Sequence, residues 1–241
     1  MTRPEETLTA PRAEDPMPGV IPFFAGGNFI SPAYYISTIV KGVIGFDIFG
    51  WASEKVQGDW EAVRKAAEAA GNLSRFNSAF ADSVQAGWRN TVEQSWHGEA
   101  AGSAGAYFNQ LAATLDFQVR PLEEIERQLT NISTGMRELA RLVGDILQDI
   151  ADWGLLLGAS MAAQAVLAAT LVGGPAAAAQ AAISATYVVM IIQRVDAAIT
   201  LVTRTYKTIY GGIGALNVLS SQTMPDKLPP LPNSAYNHPG A

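Results

Sequence analysis

The sequence predicts an all-α fold: an elongated helical hairpin or bundle bent at Trp96-His97-Gly98, then an apolar helical hairpin, with disordered termini. Three observations carry this. Apolar residues recur at threes and fours before the bend, at Trp60, Val63, Ala67, Ala70, Leu73, Phe76, Phe80, Val84, Trp88 and Val92, which keeps one helix face apolar. The spacing returns after it, at Tyr107, Phe108, Leu111 and Leu115, and then along Leu122, Ile125, Leu129, Ile132, Met136, Leu139, Val143 and Ile146, a heptad seam that wants a partner helix. Finally, residues 153 to 193 contain no charged side chain.

Composition agrees. Of 241 residues, 49% are hydrophobic and only 16% charged, against roughly 25% in an ordinary soluble domain. With a net charge of −6 and no basic stripe, the chain lacks the electrostatic footprint of a nucleic-acid binder. It has no cysteine, which excludes disulfides, thiolate metal sites and a cysteine nucleophile and leaves the redox compartment open.

In chain order, residues 1–30 read as a disordered arm, with Pro4, Pro11, Pro16, Pro18 and Pro22 among few apolar side chains. The arm lacks the basic start, apolar core and small-residue site of a cleavable signal peptide. Residues 31–152 form the hairpin with short lead-in helices. Ser31-Pro32 is an N-cap followed by proline at the first helical position, and that helix should end near Gly42 or Gly45. A second short helix follows from Asp47, and Phe46, Ile48, Phe49 and Trp51 should fold back as an apolar lid on the hairpin. The first long helix starts at Asp59 and runs to about Ser95. The next starts after Gly98 and is interrupted at residues 117–121, because Pro121 removes a backbone donor and biases Arg120 away from helix. Between them Gly98, Ala100, Ala101, Gly102, Ala104 and Gly105 carry little side-chain volume, so the two backbones should approach closely.

Residues 153–212 form the apolar hairpin, split by Gly173-Gly174-Pro175 into arms close to the roughly 20 residues that cross a bilayer. Its many small residues, with Gln164, Gln180 and Gln193, weaken its hydrophobicity, so two states compete: arms buried on each other in a soluble bundle, or inserted with both ends on one side. Asp149 and Asp152 before the stretch and Arg194 after it would mark its edges. Gly211-Gly212 should stop the last helix, leaving residues 213–241 as a disordered tail.

At the bend, Trp96-x-Gly98 between two long helices, followed by Glu99-Ala100-Ala101-Gly102-Ser103-Ala104 and Tyr107-Phe108, resembles the WxG family of ESX, or type VII, secretion substrates. Ser31-Pro32-Ala33-Tyr34 and Gly58-Asp59-Trp60-Glu61-Ala62 are similar to actinobacterial members that carry a lead-in before the hairpin. The likeness covers roughly residues 30 to 155. It implies a hairpin that pairs with itself or with another WxG-like protein, meets a secretion ATPase and leaves the cytoplasm folded, for the outside or the cell surface. It also makes Trp96 and Gly98 recognition residues, where packing alone would have Trp96 plug the turn. One departure stands out: the family's export signal is a tyrosine followed four positions later by Asp or Glu. No tyrosine here fits it; Tyr107 is followed by Leu111 and Tyr206 by Tyr210. Either a partner supplies the signal or the chain is a relative that is not exported.

Enzyme chemistry finds no constellation. His97 in the turn and His238 in the tail suit neither a metal site nor a Ser-His-Asp arrangement, and the glycine-rich places lack the strand that phosphate loops require. No metal or cofactor is expected. Three classes remain: a non-enzymatic secretion substrate or delivery partner acting through helix pairing, a membrane-inserting helical hairpin, and a structural helical protein of a phage or contractile particle.

Overall fold

The computed structural model describes residues 3–11, 32–170 and 174–221, and it is all-α, with no strand among them. The helices follow as α1 (Pro32–Ile44), α2 (Ile48–Val56), α3 (Trp60–Gly87), α4 (Glu99–Phe117), α5 (Val119–Ala168) and α6 (Gly174–Ser221). A 3-10 turn at Pro4–Thr7 precedes them and a π turn at Trp88–Val92 follows α3.

The boundaries have local causes. Helix α1 ends where Gly45 takes φ +70°, a left-handed conformation, and its N–H donates to the Lys41 carbonyl at 2.8 Å. Asp47 opens α2 by accepting from the Gly50 N–H at 2.9 Å. The break predicted near Pro121 is a single residue, Gln118, and Pro121 becomes the third residue of α5, where its missing donor would have had no intrahelical partner.

Several expectations are corrected. The first long helix loses α-type hydrogen bonding at Gly87, short of Ser95, and widens into the π turn. Gly211-Gly212 does not stop the last helix, which continues to Ser221. Each helical glycine costs about 1 kcal/mol relative to alanine, and at Gly212 a Cβ would stand in ordinary contact with Ile132, 3.4 Å away. At the other end, residues 3–11 of the expected arm carry the 3-10 turn, and the Thr9 carbonyl accepts from Asn72 Nδ2 at 2.7 Å. Ser31, Gly173, His238, and the remainder of both arm and tail lie outside the described residues.

The chain divides into two compact units, one of residues 1–13, 62–132 and 211–241, the other of residues 14–61 and 133–210. In the first unit the buried side of α3 is small and polar: Ala67, Ala70, Asn72, Ser74, Asn77 and Ala81. Ala67 and Ala70 lie on the predicted apolar face, but from Ser74 to Ala81 the buried residues run one position out of phase with it, and Leu73 and Phe80 are exposed. The cause is the break at Gln118, whose neighbourhood demands polar partners. Ser74 Oγ donates to the Val119 carbonyl at 3.3 Å and Asn77 Nδ2 to Gln118 Oε1 at 3.0 Å. Gly71 leaves room for the Glu126 carboxylate, which a Cβ there would strike.

In the second unit the core gathers Val40, Ile48, Val56, Met136, Leu139, Val143, Leu147, Ile150, Leu157 and Ile191, all essentially inaccessible. The seam therefore finds much of its cover inside the chain. Ile132, Met136, Leu139 and Val143 are buried, while Leu122, Ile125, Leu129 and Ile146 are half-buried. After Val143 the buried series moves to Leu147, as expected of a helix with 3.6 rather than 3.5 residues per turn. The lead-in also belongs to this unit. Ile36 and Val40 of α1 press on Gly154 and Ile39 on Gly158, while the Tyr206 hydroxyl donates to the Lys55 carbonyl of α2 at 2.6 Å. Helix α1, rather than residues 46–51 expected as a lid, thus covers part of the uncharged stretch.

Candidate functional site: the turn and the uncharged hairpin

The turn is built around Trp88. Its ring, 6% exposed, lies against Gly105, where a Cβ would sit 3.0 Å from it, and its centroid is 5.5 Å from Phe108. Trp96 sits edge-on to Trp88 at 6.2 Å and remains 39% exposed, so it half-covers the Trp88 cluster and half-faces solvent. His97 is exposed. Gly98 precedes α4 at φ +104° and ψ −176°, a region essentially reserved for glycine. Its Cβ position meets nothing within 4 Å. The predicted close approach of two backbones is not what these small residues provide: Gly105 makes room for the Trp88 ring, and Gly98 is required for its conformation. Trp88 was visible in the sequence as one of the apolar series; its pairing with Gly105 was not.

The uncharged stretch forms the last part of α5 and the first part of α6. Trp153 to Ala168 and Gly174 to Gln193 measure roughly 24 Å and 30 Å at 1.5 Å per residue. Both helices are long and apolar enough to cross a membrane, and the most apolar 18-residue stretch of α6 is only 6% buried. Leu155, Leu156, Met161, Val166, Ile183, Val189, Met190 and Ile192 are exposed. Where the stretch begins and ends, Arg194 Nε meets Asp149 Oδ2 at 3.1 Å, so two of the three edge charges read from the sequence are paired with each other. Trp153 and Tyr187 lie 5.8 Å apart between the arms.

A buried polar relay joins the arms. Gln180 Nε2 donates to Ser160 Oγ at 2.7 Å, Ser160 Oγ is 2.7 Å from Ser184 Oγ, and Ser184 Oγ donates to the Gln180 carbonyl at 3.1 Å. Sequence reasoning counted Gln180 only as a loss of hydrophobicity and passed over both serines and the Gly154-x-x-x-Gly158 spacing that receives α1. Gly174 and Pro175 open α6 and are exposed. Among the described residues no group of three His, Cys, Asp or Glu is placed to hold a metal ion. No protein-family model, no curated protein and no solved structure matches the chain.

Proposed function

We propose that this chain is a membrane-inserting helical protein whose Trp96-Gly98 hairpin serves export and pairing. The observation that carries the reading is the exposure of an uncharged helical pair: the most apolar stretch of α6 is 6% buried, and residues 153 to 193 offer water no charge. An amphipathic soluble helix would turn charged residues to solvent. Here Leu155, Leu156, Met161, Val166, Ile183, Val189, Met190 and Ile192 face it. At 1.5–3 kcal/mol for full burial of one such side chain, moving these half-exposed groups into hydrocarbon contributes on the order of 10 kcal/mol. The α6 arm matches a hydrocarbon core roughly 30 Å thick, and the α5 arm, at roughly 24 Å, is shorter than it.

Carbonate extraction and flotation with phosphatidylcholine vesicles test the reading. The wild type is expected to float, and Gly174→Arg to float less, because the tip must carry a charge through the hydrocarbon, whose centre holds an arginine only at a cost of about 2.5–3.5 kcal/mol. The space around Gly174 is open, so the arginine leaves the water-soluble fold undisturbed. Recovery wholly in the soluble fraction, with Gly174→Arg changing nothing, overturns the proposal.

The resemblance to type VII substrates supports a companion role, a non-enzymatic substrate or delivery partner. The half-exposed Trp96 beside a glycine-only backbone favours it, since a ring needed only for packing would be covered. Trp96→Ala is expected to abolish export from a cell carrying the secretion system while leaving the melting temperature near normal. Normal export of that variant removes Trp96 from recognition.

A further inference from the structure

We propose that α1 is a strap that must leave Gly154 and Gly158 before the uncharged hairpin enters a bilayer, an inference that rests on the membrane reading. The strap is seated closely. A Cβ at Gly154 would lie 2.9 Å from Val40 Cγ2 and 3.2 Å from Ile36 Cγ2, and one at Gly158 would lie 2.9 Å from Ile39 Cδ1. Only glycine admits these branched side chains so near the α5 axis.

The seat lies at the wrong depth for insertion. With the hairpin lowered to its Asp149–Arg194 ion pair, Gly154 and Gly158 stand roughly 7 Å and 13 Å beyond Asp149, within the hydrocarbon. The opposite side of α1 carries Thr38 and Lys41, both exposed. Carrying α1 down with the hairpin would take the Lys41 ammonium toward lipid, which is costly. Leaving it behind is cheaper. Once released, its face of Ile36, Ile39, Val40 and Val43, with Lys41 opposite, suits the interfacial plane of the same membrane.

The chain is built to let α1 move alone. Gly45, at φ +70°, joins it to α2. Helix α2 is fixed by Ile48, Phe49, Ala52 and Val56, each at most 3% exposed, by the Asp47 cap and by the Tyr206 bond to the Lys55 carbonyl. Rotation at Gly45 frees the strap without disturbing that anchor.

Because the chain has no cysteine, Val40→Cys with Gly154→Cys places a single crosslink between strap and seat: Val40 Cγ2, bonded directly to Cβ, stands 2.9 Å from the Gly154 Cβ position, which brings the two Cβ atoms within about 4.4 Å. In the full-length protein the disulfide is expected to form in solution. The oxidised form should lose at least tenfold in flotation with phosphatidylcholine vesicles, and reductant should restore it. Ile36→Ser with Val40→Ser, which loosens the seat, is expected to float more than wild type. Equal flotation of the oxidised and reduced forms overturns the strap while leaving the membrane reading standing, and failure of the disulfide to form overturns the contact itself. If neither the wild type nor the reduced protein floats, the membrane reading fails and the strap falls with it.

Discussion

Gly98 and Gly102 sit four residues apart in the same small-residue run, and the structure gives them opposite responses to one methyl group. At Gly98 a Cβ would meet nothing within 4 Å, so Gly98→Ala creates no clash. It must instead hold alanine at φ +104° and ψ −176°, which costs of order 1–3 kcal/mol. For a chain of this length 1 kcal/mol moves the melting temperature by about 2–4 °C, so a fall of about 2–12 °C is expected. Gly102 lies inside α4 with equally open space. There alanine gains up to about 1 kcal/mol of helix propensity, a rise of about 2–4 °C. Gly98→Val should fall at least as far as Gly98→Ala, whereas His97→Ala, at an exposed position, should stay within about 0.5 kcal/mol. Thermal unfolding followed by far-ultraviolet circular dichroism reads all four variants. A wild-type melt for Gly98→Ala, or equal losses at Gly98 and Gly102, would refute the conformational argument.

Trp88→Ala removes the ring that fills the space at Gly105 and is expected to cost about 3–5 kcal/mol, well above Trp96→Ala; equal losses in denaturant melts would show that Trp96 is the true plug. Leu73→Glu with Phe80→Glu alters exposed residues only, so the fold should survive; if the hairpin pairs with a second copy through this side, light scattering shifts to the monomer mass, and an unchanged mass excludes that side. Glu138 is held below the ordinary carboxylate range by its hydrogen bond and charge pairing with Arg141. Its contribution to stability is thus fully present above the unfolded glutamate pKa and is lost as pH falls through the lower folded value. Glu138→Gln should therefore melt slightly below wild type at neutral pH and converge with it in acid, and a gap that widens in acid contradicts the pairing.

The helical class, the lead-in helices and the break before Pro121 were legible because each has a local signal: period, cap or missing donor. The phase of α3 was not. Apolar periodicity put Leu73 and Phe80 inward, but Ser74 and Asn77 are drawn in by Val119 and Gln118, residues more than forty positions away that no window around α3 contains. The local stop signal at Gly211-Gly212 likewise did not hold, since the helix runs on to Ser221. At the turn, two tryptophans competed for one role. The Trp-x-Gly pattern drew attention to Trp96, whereas the ring with a glycine cut to receive it is Trp88. The seam was recognised as a surface needing cover, and the second unit supplies that cover from Met136 to Val143.

The glutamines show why composition understated the uncharged hairpin. A hydropathy count charges each amide as if it entered lipid bare, and an unpaired amide does cost several kcal/mol in hydrocarbon. Gln180 does not enter bare: its amide donates to Ser160 of the other arm, and that serine is in turn bonded to Ser184, which returns to the Gln180 carbonyl. The two serine hydroxyls are thereby satisfied between the arms, and the half-buried Gln180 amide places one of its N–H bonds there. Gln193 is adjacent to Arg194 at the level of the Asp149 ion pair, where an inserted hairpin would still meet water. Gln164 and the rest of the Gln180 amide remain as costs of insertion, and both side chains are half-buried. The polar residues that made the stretch read as marginal from composition are thus mostly turned inward or placed at its edge, while the side chains exposed along its length are leucine, isoleucine, valine and methionine.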